Sequence, residues 1–139
     1  PTESLLSENT GGFSIMQKVE DEVEIDAVSL NDILYALSKV IDNQKERILV
    51  KLDCEGSEYP ILFTSTLLNM VDYICGEYHE SHRLTGTSLK NFLDDKDFRT
   101  CFKKSKDKDG NECGLGLFWA EKKTRDKFFQ VDFEKENEL

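Results

Sequence analysis

No stretch of this sequence approaches the ~18 consecutive apolar residues of a membrane-spanning helix. Positive charge is in deficit. Lys and Arg total 18 against 28 Asp and Glu, and the formal net charge is -10. A non-specific grip on nucleic acid relies on cationic side chains neutralising phosphates, so no nucleic-acid partner is expected. The same deficit argues against an anionic membrane surface. The N-terminal PTESLLSENTGG lacks a basic segment followed by an apolar core, so no secretory signal is visible. Cys54, Cys75, Cys101 and Cys113 form no CxxC pair, and their spacing suggests neither a zinc ribbon nor a disulfide framework. Read as free thiols, they point to a reducing compartment, and a cytoplasmic location is expected. G-x-G-x-x-G, the P-loop, G-x-S-x-G and HExxH are all missing. DKDGNE is no calcium loop, because taking Gly110 as its sixth position puts Gly116 where the bidentate Glu belongs. The GLG at 114–116 is a lone GxG inside a strand pattern.

What is present suits one α/β domain over 1–139, with 1–10 and 124–139 loose or peripheral. Hydrophobic residues make up 38% and charged residues 33%, which is polar for a globular domain yet not the profile of full disorder. GFSIMQKV and the alternating VEIDAV predict strands near the N-terminus. Ser29 begins a capping box, S-L-N-D, ahead of a helix with Leu30, Ile33, Leu34, Leu37 and Ile41 at helical spacing. ILVKLD, 48–53, reads as a strand covered on both faces. Glu55-Gly56-Ser57 reads as a tight turn before a helix over 58–70, with Pro60 in its first turn. VDYICGEYH, 71–79, predicts a second buried strand, and Thr87 or Ser88 caps the helix after it. A hairpin closes the pattern, with RTCFKKSK and CGLGLFWAEK around the turn Asp107–Gly110. Strands alternating with helices predict a three-layer, mostly parallel sheet that ends in this antiparallel hairpin.

Ligands of open α/β sheets bind beyond the carboxyl ends of the strands. One inner strand ends in Lys51, Asp53, Glu55 and then Glu58; the next ends in Glu77 and His79. If the two are neighbours and parallel, these side chains converge on one edge. Acids packed together need a compensating cation, or one of them holds a proton and serves as a base. Asp53 and Glu77 are the strongest candidates, because each ends an apolar run. Glu55 and Glu58 have a structural reading as well, since carboxylates at a helix start favour its dipole. A lone His such as His79 is more often structural, but its place two residues after Glu77 joins it to the cluster. Lys51 interrupts an apolar strand, and an ion pair with a nearby acid is expected. Asp72 and Glu80 read as merely exposed, and His82 as a loop residue.

KLDCEGSE, Lys51 to Glu58, resembles the K-x-D-x-E-G-x-E signature of the FkbM-type methyltransferase family, with Lys51, Asp53, Glu55, Gly56 and Glu58 all matched. The flanks are similar too: AVSLNDILYAL upstream, ICGEYH and LGLFWAEKK downstream. The likeness spans roughly 23–123. It implies the C-terminal half of a class I, Rossmann-like methyltransferase, with ILVKLD as fourth strand, VDYICGEYH as fifth and the hairpin as the last two.

The resemblance implies S-adenosylmethionine as cofactor and methyl transfer to an oxygen of a small-molecule, sugar or lipid acceptor. A divalent metal is a possible addition. The cofactor loop and the ribose-binding acid expected upstream are not in this sequence, which leaves a non-catalytic module for binding or assembly as the alternative. ILVKLD would then have a bare edge, which is an aggregation hazard. A homodimer, or a strand from GFSIMQ or VEIDAV, is expected to cover it.

Overall fold

A computed structural model describes residues 27–42 and 45–124. GFSIMQKV, most of VEIDAV and nearly all of the charged tail lie outside the described residues. Ala27 and Val28, the end of VEIDAV, belong to no element.

The first helix, α1 (Leu30–Leu37), starts where its capping box predicts. The Ser29 hydroxyl accepts the Asp32 N–H, and the Asp32 carboxylate accepts the Ser29 N–H. It ends a turn before Ile41, and only Leu34 of its apolar stripe is fully buried. Strand β1 (Leu49–Leu52) follows. The Glu55-Gly56 turn leads into α2 (Glu58–Phe63), which is much shorter than the predicted 58–70. The Thr64 hydroxyl donates back to the Pro60 carbonyl at 2.7 Å, and Ser65 donates to the Asn31 side chain. These side chains draw backbone partners away from a continuing helix, and a 3₁₀ turn at Leu68–Met70 replaces its second half. Strand β2 (Tyr73–His79) precedes α3 (Gly86–Asp95), whose cap is Thr85 and not the expected Thr87 or Ser88. Thr85 and Ser88 form a reciprocal capping box, a pattern without the usual Glu or Gln. The hairpin is β3 (Phe98–Lys106) and β4 (Glu112–Lys122).

The sheet order is β1-β2-β4-β3. Only β1 and β2 run parallel; β4 is antiparallel to both β2 and β3. The sheet is therefore mixed, and the expectation of a mostly parallel one is corrected. The hairpin turn is too short for a crossover, so its strands must alternate in direction. Gly76 sets the spacing of the parallel pair, because a Cβ there would collide with the Leu52 carbonyl oxygen.

One cluster forms the core. Leu34, Tyr59, Leu62, Leu89 and Leu93 from the helices meet Leu52, Ile74, Tyr78, Phe98, Phe118 and Ala120 from one face of the sheet. All described helices thus feed one side, and the described residues form two layers, where three were expected. ILVKLD is correspondingly buried on one face alone: Leu52 is buried, whereas Leu49 and Lys51 are exposed. Trp119 is half-buried on the opposite face. Asp72 is also not the exposed acid expected; it is buried, and its carboxylate accepts the Ile48 N–H at 2.8 Å.

Candidate functional site

The parallel pairing runs Leu49↔Tyr73 to Leu52↔Gly76. One step further sets Asp53 opposite Glu77. Strand alternation places Lys51, Asp53, Cys75 and Glu77 on the face away from the core. They line a shallow cleft of about 200 Å³ closed by Leu117 and Trp119. Lys51, Asp53 and Glu77 are exposed, and among the described residues their side chains make no hydrogen bond or ion pair. The ion pair expected for Lys51 is therefore not formed. Its ammonium leaves the strand for solvent, which meets the same electrostatic need.

Glu55, Glu58 and His79 form a second group beside the first. The His79 ring lies between two carboxylates, with Nδ1 3.2 Å from Glu58 Oε1 and Nε2 3.3 Å from Glu55 Oε2. Glu58 is completely buried. Its Oε1 also accepts the Cys54 N–H at 2.9 Å, and Oε2 accepts the Gly56 N–H at 3.0 Å. Three donors thus compensate a carboxylate that has lost its water. The turn is shaped to permit this. Glu55 and Gly56 both have left-handed backbone, φ 51 and φ 100, which turns the Gly56 N–H between them towards Glu58. Such a conformation costs Glu55 about 1 kcal/mol or more.

A ring that donates from both nitrogens is the imidazolium form; a neutral ring would turn a lone pair towards one of the acids. Of the two acids that face the ring, Glu55 is the more exposed. The neighbouring Tyr59 phenol is pushed far above its ordinary range by burial, then by the Glu80 and Glu58 carboxylates. Its hydroxyl and that of Ser57 are buried without a hydrogen-bond partner among the described residues.

The six candidate residues thus fall into two adjoining groups: Lys51, Asp53 and Glu77 on the open face, and Glu55, Glu58 and His79 around the turn. No group of three His, Cys, Asp or Glu among the described residues has a metal-holding arrangement. Glu80, read as idle, accepts the Gly86 N–H at 2.8 Å and so ties the end of β2 to the start of α3. Its spacing before the T-G-T-S run is the one sequence signal for that role. The described residues contain no helix long and apolar enough to cross a membrane.

No family model, curated protein or solved structure matches this chain. The structure itself defines an α/β protein with a four-stranded mixed sheet.

Proposed function

We infer that this chain is the acceptor-side half of an S-adenosylmethionine-dependent O-methyltransferase of the FkbM type. The observation that carries the reading is the parallel pairing of β1 and β2, which brings Asp53 and Glu77 to one rim with Lys51 on the same face. Open α/β sheets hold ligands at that end of their strands. The five matched positions of KLDCEGSE support it, as does a parallel pair followed by an antiparallel hairpin.

The methyl donor is a sulfonium cation carried on a nucleoside. The carboxylates of Asp53 and Glu77, which have no partner among the described residues, suit the cationic end. The reading requires the nucleoside grip to come from residues outside those described. When bound, the donor supplies an electrophilic methyl group. This chain's part is to aim an acceptor hydroxyl and draw off its proton. Asp53 or Glu77 accepts the hydroxyl hydrogen, and Lys51 balances the charge that gathers there. The His79 ring is held between Glu55 and Glu58, and Glu58 fixes the turn that presents Asp53.

One observation favours the non-catalytic alternative. Glu55, Glu58 and His79 are already bound to one another, so this part of the signature is explained by the turn alone. Calorimetry with S-adenosylmethionine and S-adenosylhomocysteine, on the chain joined to whatever its reading frame encodes upstream, separates the two readings. Donor binding, with Asp53→Asn lowering methyl transfer ~100-fold while the fold is kept, supports the enzyme. No binding and no transfer leaves a binding module. Unchanged turnover in Asp53→Asn removes Asp53 from the chemistry.

A further inference from the structure

Tyr78 points to the opposite face of β2 from Glu77 and His79, and it is 1% exposed. Its ring tip is threaded between two glycines. A Cβ at Gly116 would collide with the ring and hydroxyl, and one at Gly86 would come within 3.1 Å of the hydroxyl oxygen. The ring also packs on Phe102, with centroids 5.5 Å apart. All of this packing would serve a Phe equally well. Among the described residues the hydroxyl has no hydrogen-bond partner, and burying one unmet costs about 1–3 kcal/mol. Yet it is not sealed in the core. Tyr78 forms part of the wall of a cleft of about 360 Å³ between the first turn of α3 and the hairpin.

The other walls say what would meet that hydroxyl. Phe102 and Gly86 give the cleft an apolar floor, and Thr87, Lys90, Lys104, Lys106 and Glu112 form its rim. Lys104 is bound to Glu112 and Lys90 to Asp94, each at 2.6 Å, whereas Lys106 has no ion-pair partner among the described residues. Two N–H groups at the start of α3 are already in use: Glu80 takes that of Gly86, and the Thr85 hydroxyl takes that of Ser88. Among the described residues, the lining side chains that keep an unused donor are Tyr78, Thr87 and Lys106, and only Lys106 brings an unpaired positive charge. Burial, with the Glu80 and Glu112 carboxylates, pushes the Tyr78 phenol up, so it stays a donor. The same two acids repel a doubly charged anion more than a singly charged one.

We propose that the cleft between α3 and the β3–β4 hairpin binds a small monocarboxylate with an apolar or aromatic body, its carboxylate held by the Tyr78 hydroxyl and the Lys106 ammonium and its body resting on Phe102. This site is independent of the methyl-transfer reading, because it lies on the other face of β2.

The test is an amide NMR titration of the whole chain with benzoate, benzamide and inorganic phosphate as probes. Benzoate is expected to shift Gly86, Thr87 and the hairpin amides in a saturable way, with the neutral benzamide and the phosphate far weaker. Tyr78→Phe keeps the ring and should weaken benzoate ~10-fold or more, the loss of one hydrogen bond to a charged group. Lys106→Gln, at an exposed position, should weaken it as well and serves as the second arm if Tyr78→Phe disturbs folding. The proposal is overturned if benzoate does not bind in this cleft, if Lys106→Gln and a folded Tyr78→Phe bind it unchanged, or if benzamide or phosphate binds as well as benzoate.

Discussion

His79 Nδ1 lies 3.2 Å from Glu58 Oε1, and Glu58 is wholly buried at the first position of α2. The contact joins the end of β2 to the turn that follows β1. It therefore locks together the two strand ends that carry Asp53 and Glu77.

Glu58→Ala removes a buried acceptor and leaves the Cys54 and Gly56 N–H groups and His79 unmet. A loss of about 3–5 kcal/mol is expected. Urea unfolding followed by circular dichroism measures it. A loss below 1 kcal/mol would show that water replaces the carboxylate.

Asn31→Ala should be costly for a residue on a short surface helix. The Asn31 side-chain oxygen accepts from the Ser65 hydroxyl at 3.0 Å, the Thr66 N–H at 3.0 Å and the Leu67 N–H at 3.2 Å. It pins α1 to the chain that leaves α2. About 2 kcal/mol should be lost, because donors at a part-buried site are left without a partner. Asn31→Asp, which keeps the acceptor, should recover most of it in the same unfolding assay.

Gly76→Ala places a methyl group against the Leu52 carbonyl. Backbone cannot move aside as a side chain can, so β1 must separate from β2. The expected cost is at the upper end of the ~1–3 kcal/mol seen for overpacking. Hydrogen exchange should show protection lost in β1 first, with the hairpin amides retained. Uniform loss across the sheet would contradict this.

Stability should fall at alkaline pH. Burial raises the phenols of Tyr59 and Tyr78, helped by the Glu80 carboxylate in both cases. The unfolded chain releases these protons at ~10, before the folded one does, so the folded state holds more protons above that point. Their contribution is complete below ~10 and is lost as pH climbs through the folded values. Melting temperature against pH should drop above ~10, and Tyr59→Phe should flatten the drop. An unchanged slope in that variant would place the alkaline sensitivity elsewhere.

Local signals in the sequence carried far. The Ser29 capping box, the Pro60 helix start, the Asp107–Gly110 turn and the parallel neighbours β1 and β2 all follow from residue type and period. What failed was anything decided by a distant partner. Thr64 and Ser65 look compatible with a helix until Pro60 and Asn31 are seen to bind them. Lys51 asks for an ion pair only if its strand is covered on both faces. Asp72 reads as surface until the Ile48 N–H is found against it. Within the candidate site, the gathering of acids at one rim was legible. Its division into an unpaired group and a bridged one was not, because the left-handed turn at Glu55 and Gly56 decides it. Tyr78 was hidden in an apolar run, and Gly116 in a GxG read as meaningless.

The strand order gives the molecule a built-in sequence of assembly. β3 and β4 meet across a short turn, with Lys106 opposite Glu112, whereas β1 reaches β2 only after α2 and the 3₁₀ turn have been laid down. Closing a small loop forfeits less chain freedom than closing a large one. The hairpin should close first and β1 should pair with β2 next, because Leu49 and Tyr73 lie closer along the chain than Tyr73 and Glu121 do. The rim that sets Asp53 beside Glu77 is therefore finished before β2 docks on β4, the step that spans the most chain.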